Sequence, residues 1–226
     1  MGKIVANSAP AVRARPRSAD KRKAIIDAAG ELFLTRGFSG TSMDEVARAA
    51  SVSKQTVYSH FHNKERLYAA CIRRVCNDYF PDAVSIAPDA DIATRLSLIG
   101  THFVRLIVSE PAVNMFRTLV AQAAEGPEMA ELFYETGPAA LKREIEAVLA
   151  CAIARGELKP CDTDKACGHF AALLKGEMHF RLSLGLPMAV SESDIDAHVA
   201  DCVAVFLAAY ASGSTASDGS ISGNRE

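Results

Sequence analysis

The chain has 226 residues, of which 49% are apolar and 23% charged, the balance of an ordinary globular protein. This composition excludes collagen, coiled coil and wholesale disorder, and no apolar run approaches the ~18–20 residues that cross a bilayer. The first 18 residues lack the apolar core of a secretion signal, so we expect a cytoplasmic protein with no membrane partner. The six cysteines form no Cys-x-x-Cys pair and predict reduced, mostly buried thiols.

Charge is divided unevenly along the chain. Residues 1–80 hold 14 Lys or Arg against 7 Asp or Glu, a net charge of +7, whereas residues 81–226 hold 11 against 20, a net charge of −9. A basic first third joined to an acidic remainder indicates that the first part meets a polyanion. The alternative is a basic tail without a target, since the first 17 residues supply four of the positive charges.

The hydrophobic periodicity predicts an all-α protein of about nine or ten helices, because strand-favouring residues never alternate over a useful length. Composition and helix signals divide the chain into four parts. They are a disordered basic arm (1–18), a three-helix helix-turn-helix domain (19–79), a larger helical domain (80–211) and a disordered tail (212–226).

The predicted helix ends follow from capping residues. The first helix begins near Ser18 or Ala19 and ends at Gly37, a typical helix-ending residue. The expected caps of the next three helices are Thr41 or Ser42, then Ser53, then Asn63. After a linker at 84–91 come longer helices, and the last two are expected to be capped by Asp162 or Thr163 and by Ser191 or Ser193.

Two short helices joined by a tight turn, after a longer supporting helix, match a helix-turn-helix unit. The second of them, KQTVYSHF at 54–61, carries polar donors outward and keeps Val57 and Phe61 for its inward face. No carboxylate lies between Glu45 and Glu65, so the segment lacks groups that repel phosphates. Short polar donors near a helix N-terminus reach base edges when that end enters the major groove.

The run TSMDEVARAASVSKQTVYSHFHNKERLY, preceded by AIIDAAGELFLTRGF, resembles the DNA-binding domain of the TetR family of bacterial transcriptional regulators. The family's signature Tyr-x-x-Phe-x-x-Lys-x-x-Leu is matched by Tyr58, Phe61, Lys64 and Leu67. The resemblance is specific over 19–79, and from residue 81 onward the pattern resembles the AefR-like C-terminal type. Ser51 is a departure, because the family usually has Gly in this turn; a left-handed serine there costs about 1 kcal/mol.

The resemblance implies which residues contact DNA. They are Ser42, Lys54, Gln55, Thr56, Tyr58, Ser59, His60 and Lys64. Gln55 and Lys54 are the candidates for base readout, toward adenine and guanine respectively, and the others contact phosphates or the flank. The alternatives are a core aromatic for Tyr58 and a solvated lysine for Lys64. The basic arm with Arg13, Arg15 and Arg17 either enters a minor groove or adds only nonspecific affinity.

The resemblance also implies a homodimer on an inverted-repeat operator in double-stranded DNA, released by a small, apolar or aromatic effector. The last two long helices are the expected dimer interface, through Leu173, Leu174, Val199, Cys202, Val203, Phe206 and Tyr210. The expected effector pocket is lined by His102, Phe103, Met115, Phe116, Leu119, Phe133, Tyr134, Phe170, Met178 and His179, with His169 as a further polar anchor. Packing in the chain's own core is the alternative for each of these residues. Activation in place of repression stays open, since it depends on where the operator lies.

Two other classes of protein compete with this interpretation. The first is an enzyme, which is not predicted, because the sequence has no G-x-G-x-x-G, Walker, G-x-S-x-G or H-E-x-x-H motif. No cofactor or metal is expected. The second is a thiol or metal sensor built on Cys151, Cys161 and Cys167, of which the last two flank an expected helix start where a thiolate is favoured. Cysteine–histidine spacing typical of metal sites is absent from the sequence.

Overall fold

The computed structural model describes residues 18–79, 87–123 and 127–212, and within these ranges the regular structure is helical except for one isolated bridge between Leu158 and Ala211. The helices are α1 Ser18–Arg36, α2 Met43–Ala49, α3 Lys54–Phe61, α4 Lys64–Tyr79, α5 Ile92–Val108, α6 Glu110–Gln122, α7 Glu128–Thr136, α8 Pro138–Ala154, α9 Thr163–Ser183 and α10 Glu192–Tyr210. The predicted all-α class is confirmed. The predicted arm and tail lie outside the described residues, apart from Ser18 and Ser212.

Most helix ends lie where the capping residues predict them. Gly37 ends α1 with a left-handed φ of 71°, and its N–H donates to the carbonyl oxygen of Phe33 at 3.0 Å. Of the two candidates for the cap of α2, Ser42 is the N-cap. Its hydroxyl accepts from the Glu45 N–H at 3.2 Å, and the Glu45 carboxylate accepts from the Ser42 N–H at 2.9 Å. Other helices with a side-chain N-cap begin after Ser53, Asp91, Ser109, Asp162 and Ser191, and before α4 the predicted Asn63 accepts from the Arg66 N–H at 2.9 Å.

Buried side chains form two hydrophobic clusters. The first joins α1, α2, α3 and α4, and Ile25, Val57 and Leu67 are fully buried in it. The second joins α5, α8, α9 and α10, and its centre contains the rings of Phe170 and Phe206 with centroids 5.1 Å apart. The helix-turn-helix segment therefore has a core that is distinct from that of the acidic part of the chain.

Helices α4 and α6 connect the two clusters. Helix α4 packs against α1 and α3 on one side and against α5 and α7 on the other. Helix α6 packs against α1, where Met115 joins the first cluster and the Thr118 hydroxyl donates to the Leu34 carbonyl at 3.5 Å. Gly37 lies so close to Gln122 that an added Cβ would be 1.9 Å from the amide nitrogen. A movement of either connecting helix therefore displaces atoms of the helix-turn-helix unit.

Helix α9 is interrupted at Gly176, where φ is 46° and ψ is −161°. The interruption frees the carbonyl oxygen of Leu174, which lies 2.9 Å from Nε2 of His198 on α10. A Cβ at Gly176 would come within 2.7 Å of the His198 ring. The two long C-terminal helices are thus joined by a hydrogen bond at the kink as well as by apolar packing.

Helix α5 runs through the second cluster and packs against α4, α6, α9 and α10. Gly100 of this helix faces Val199 of α10 and Leu174 of α9. Within the described residues no single helix is both long enough and apolar enough to cross a bilayer. Helices α5 and α6 taken together meet the length and hydropathy criteria, but the chain bends by 61° between them.

Gly100→Ala is expected to lower the free energy of unfolding by ~1–3 kcal/mol, because the added methyl group overpacks this crossing. It would lie 2.8 Å from Cγ1 of Val199 and 3.2 Å from Cδ2 of Leu174. Gly30→Ala is the matched control: its Cβ meets no atom within 4 Å, and alanine should stabilise α1 by up to ~1 kcal/mol. Chemical denaturation measures both variants. A Gly100→Ala protein as stable as wild type would show that the crossing has room for a side chain.

Candidate nucleic-acid interface

The rotation of α3 about its axis is set by two apolar side chains. Val57 and Phe61, one turn apart, are 0% and 3% exposed in the first cluster. The opposite side of the eight-residue helix therefore faces solvent. The exposed side chains on it are Lys54, Gln55, Tyr58 and Ser59. Four of the residues predicted to contact DNA thus share one outward surface.

The turn between α2 and α3 holds Ser51 in the left-handed conformation that the sequence predicts, with φ at 54°. The N–H of Val52 donates to the carbonyl of Ala47 at 3.0 Å, which is the long hydrogen bond of a Schellman ending. The Ser53 hydroxyl then caps α3 by accepting from the Thr56 N–H at 3.1 Å. The turn residues therefore fix the angle at which α3 leaves α2.

A groove of about 430 Å³ brings together three of the predicted DNA contacts that are distant in sequence, Ser42, Tyr58 and Lys64. The Tyr58 ring is 41% exposed, so its hydroxyl is not part of the core. The carboxylate of Glu45 also borders the groove. Hydrogen bonds from the Ser42 hydroxyl and N–H lower its pKa, and Arg36 pairs with it at 2.7 Å. The groove thus offers hydroxyl donors beside a carboxylate whose charge is already paired.

The ammonium of Lys64 is bound within the protein. It donates to the carbonyl oxygens of Phe38 at 2.9 Å and Thr41 at 3.1 Å, and it lies 4.1 Å from the centroid of the Phe38 ring. A lysine ammonium has three donors, so two hold the α1–α2 turn and one is left for a phosphate. These bonds could not be predicted from the sequence, because the carbonyls lie 26 and 23 residues earlier in the chain.

Lys54, a candidate for base readout, pairs with Asp44 of α2 at 2.8 Å. The hydrogen bond to Asp44 raises the pKa of the Lys54 ammonium. Both side chains are more than half exposed, so solvent and salt weaken the pair. Lys54 must therefore leave a weak ion pair before it reaches a base, whereas Gln55 beside it is exposed.

The remaining predicted contacts have local partners. The Thr56 hydroxyl lies 2.8 Å from that of Ser53, and the Ser59 hydroxyl donates to the Thr56 carbonyl at 2.8 Å. His60 is half-buried beside Phe61, with ring centroids 6.1 Å apart. A contact that the sequence reasoning missed is Arg22, whose guanidinium lies 5.1 Å from the centroid of the Phe61 ring. The basic start of α1 therefore lies beside α3.

The residues predicted to line an effector pocket lie in different environments, and three predictions are corrected. Met115 is buried in the first cluster, because α6 packs against α1, and Tyr134 is 51% exposed on α7. Phe133 packs against the first cluster as well. The members buried in the second cluster are Phe103, Phe170 and Met178. These side chains pack with neighbours as core residues do, in two separate clusters.

The other predicted lining residues include the two histidines. Nδ1 of His102 lies 2.9 Å from the Tyr79 carbonyl, and Nδ1 of His179 lies 3.1 Å from the Ile107 carbonyl. A carbonyl only accepts, so each ring nitrogen donates. Burial lowers the pKa of His179, and the Phe116 ring lies 5.5 Å from it. Leu119 borders a space of about 10 Å³ between α1 and α6, roughly one water molecule in size.

The predicted dimer interface needs a larger correction. Buried in the second cluster of their own chain are Leu174, Val199, Cys202, Val203 and Phe206. Leu173 and Tyr210 are partly buried at its edge. His169, predicted as a pocket anchor, is exposed instead, with Nδ1 2.6 Å from the Tyr210 hydroxyl. The outward side of these helices displays Phe180, Ala200, Ala204, Val205 and Ala208. The sequence pattern failed here because α10 is apolar on both sides.

Cys167 does not have the reactive thiol that a thiol sensor needs. Burial raises the pKa of Cys167 to about 11, whereas a sensor requires a thiolate near neutral pH. Cys161 is partly buried and Cys151 is exposed, and both are free thiols. The site that the described residues do assemble is the outward surface of α3 with the adjoining groove.

A recognition helix presented by a short turn, with hydroxyl and amide groups outward, defines a helix-turn-helix DNA-binding regulator. Comparison with known families agrees with this class. Residues 25–71 match the model for bacterial regulatory proteins of the tetR family, and residues 94–212 match the AefR-like transcriptional repressor C-terminal domain. The chain therefore belongs to the TetR family of transcriptional regulators, with an AefR-like C-terminal domain, and its members are not enzymes.

Individual relatives extend the similarity over most of the chain. A solved structure of the flavonoid-responsive regulator FrrA is 32% identical and covers 85% of this chain and 98% of its own, with a TM-score of 0.70. A TetR-family regulator from Mesorhizobium loti is 25% identical over 87% of this chain and 100% of its own, with a TM-score of 0.72. The regulator SrpR of Pseudomonas putida is 25% identical over 161 residues, 71% of this chain and 74% of its own.

Ser51→Gly is expected to raise the free energy of unfolding by ~0.5–1 kcal/mol, because glycine adopts the left-handed conformation without the clash of a Cβ. Ser97→Gly, in the middle of α5, is the matched control and should lower stability by about 1 kcal/mol. Thermal unfolding should move by ~2–4 °C in opposite directions. If Ser51→Gly is destabilising, the turn is held by contacts of the serine side chain.

Proposed function

We propose that this chain is a homodimeric repressor that binds an inverted-repeat operator in double-stranded DNA and is released by a small, apolar or aromatic effector bound in its C-terminal domain. The observation that carries the proposal is the outward surface of α3. Gln55 and Lys54 lie at the helix start, where side chains reach base edges, and Tyr58 lies beside the groove with Ser42 and Lys64.

A dimer is proposed because one recognition helix reads only a few base pairs. Two copies related by a two-fold axis read half-sites spaced by one helical turn, ~34–36 Å, and this arrangement requires an inverted repeat. The outward face of α10, with Ala200, Ala204, Val205 and Ala208, is the surface that supports pairing. Small side chains let two helices approach closely, and Phe180 of α9 is a further exposed apolar side chain.

Release by an effector requires two conformations of the dimer. A ligand shifts such an equilibrium only through tighter binding to one state, and moving it from 1:99 to 99:1 takes about 5.5 kcal/mol. Helices α4 and α6 contact both clusters and so connect the C-terminal domain to the recognition helix. The relative FrrA is described as flavonoid-responsive, which supports an aromatic effector for this chain.

The test of DNA binding is selection from a random library of duplex DNA, followed by footprinting of the selected sequence. We expect a protected inverted repeat whose half-sites are one or two helical turns apart. No binding at all in dilute salt, where electrostatic attraction to DNA is strongest, would contradict the proposal, and so would recovery of no preferred sequence at moderate salt. A single protected half-site would contradict the dimer alone.

Gln55→Ala and Lys64→Ala are expected to act differently on the selected operator. Gln55→Ala should lose ~1–3 kcal/mol of discrimination at one base position and leave the other positions unchanged. Lys64→Ala should weaken binding to every sequence and reduce the salt slope by ~1. It should also lower the free energy of unfolding, because two carbonyls lose their donor. Anisotropy titrations at several salt concentrations measure these effects. Equal losses across sequences for both variants would show that Gln55 does not read a base.

Val205→Glu tests the pairing face. The side chain of Val205 is 55% exposed on α10, and two glutamates facing each other across a two-fold axis should prevent pairing. Val120→Glu is the matched control, because this valine on α6 is 57% exposed and lies off the proposed face. Light scattering should give a monomer for Val205→Glu and a dimer for Val120→Glu. A Val205→Glu protein that stays dimeric would place the interface elsewhere.

A further inference from the structure

Arg95 differs from the other buried polar groups of the molecule. In the described part of the chain, two polar or charged residues are buried, Thr41 and Arg95, and Arg95 is only 4% exposed. The Thr41 hydroxyl donates to the carbonyl of Gly37 at 2.8 Å, whereas Nε of Arg95 has no hydrogen-bond partner. Buried polar groups in native proteins are nearly always paired, so an unpaired guanidinium nitrogen requires an explanation.

The carboxylates at the start of α5 have other partners. Asp91 accepts from the Thr94 N–H at 2.7 Å as the N-cap of the helix. Glu157 accepts from the Ile92 N–H at 2.5 Å, and its other oxygen lies 3.8 Å from Arg155. A guanidinium keeps its charge when it is buried, since arginine is not deprotonated in proteins. In the structure neither of these carboxylates is a partner of Arg95, so Nε of this charged group has no partner among the described residues.

The position of Arg95 on α5 defines its surroundings. Arg95, Ile99, His102 and Leu106 are spaced by four, three and four residues, so they form one stripe along the helix. His102 contacts the carbonyl of Tyr79, the last residue of α4, and this stripe therefore faces the end of α4. Ile99 and Leu106 are buried and apolar. The stripe thus combines a buried guanidinium that has an unpaired Nε with an apolar surface.

We propose that the effector is an amphipathic carboxylic acid whose carboxylate pairs with Arg95 and whose apolar body lies along Ile99 and Leu106. The inference rests on the proposed function, because it names the chemical class of the effector. The planar guanidinium binds a carboxylate through two parallel hydrogen bonds, and Nε is one of its donors. Ile99 and Leu106 are buried in this conformation, so the acid separates the end of α4 from α5 as it enters. That displacement reaches the recognition helix through α4.

The test compares acids with neutral analogues of the same shape. Decanoate and trans-cinnamate are titrated against decanamide and trans-cinnamamide by calorimetry, with full-length protein. The proteins are wild type, Arg95→Met and Arg105→Met. Arg105 is the matched control, because it is an arginine of the same helix that is exposed and paired with Glu192. Each protein is also titrated with the selected operator in the absence of acid.

We expect at least one acid to bind wild type and Arg105→Met at least about ten-fold more tightly than its amide, and this preference to disappear in Arg95→Met. Unliganded Arg95→Met should melt at or above the temperature of wild type, because methionine removes an unpaired buried charge. Equal affinities for acid and amide in wild type, or an acid preference that persists in Arg95→Met, would overturn the proposal. So would a melting temperature lowered by the methionine, since that result assigns Arg95 a structural role.

Two further measurements keep the result interpretable. Arg95→Gln is measured beside Arg95→Met, because glutamine retains N–H donors without the charge, and it should lose the same acid preference. Operator binding separates the two proposals: a wild-type protein that binds the operator but prefers no acid refutes the acidic effector alone. A protein that binds no operator refutes the repressor, whatever the acids do.

Discussion

Burial of Val57 and Phe61 is the interaction on which the DNA-reading surface depends. Fixing two side chains one turn apart fixes the rotation of the whole helix, and the outward groups of α3 follow from it. Burying two such side chains contributes ~3–6 kcal/mol, whereas an exposed ion pair such as Lys54–Asp44 contributes ~1 kcal/mol or less. The outward side chains therefore carry little of the stability. Their identity is set by what they contact outside the protein.

Features that act over a few residues were predictable from the sequence, and pairings over long distances were not. The Ser42 capping box, the Gly37 ending and the left-handed Ser51 each depend on residues within about five positions. The bonds of Lys64 to carbonyls 23 and 26 residues earlier depend on how α4 packs against the α1–α2 turn. The motif predicts that a lysine at this position contacts a phosphate, whereas its bonds within the protein follow only from the packing of the helices.

Five of the seven residues predicted at the dimer interface lie in the chain's own core, and the sequence did not reveal this for a related reason. Periodicity identifies α10 as a helix, but apolar residues occupy both of its sides, so the pattern does not say which side faces the chain's own core. The structure buries the larger side chains, such as Phe206 and Val199, and leaves Ala204 and Ala208 outside. The two faces of α10 differ in the size of their side chains, although both are apolar. The same ambiguity applies to the predicted pocket residues. Side chains that line a pocket and side chains that fill a core are both apolar, so only the packing in the structure distinguishes them.

The packing of Met115 determines whether the helix-turn-helix domain can be separated from the rest of the chain. This methionine belongs to α6, yet it is 6% exposed in the cluster that supports the recognition helix, and Met129, Leu132 and Phe133 of α7 pack there as well. A fragment cut after Tyr79 would expose to water the surface of α1 and α4 that these side chains cover. The helix-turn-helix domain is therefore not an independent folding unit. Side chains of the C-terminal domain, in which the effector is proposed to bind, complete its hydrophobic core.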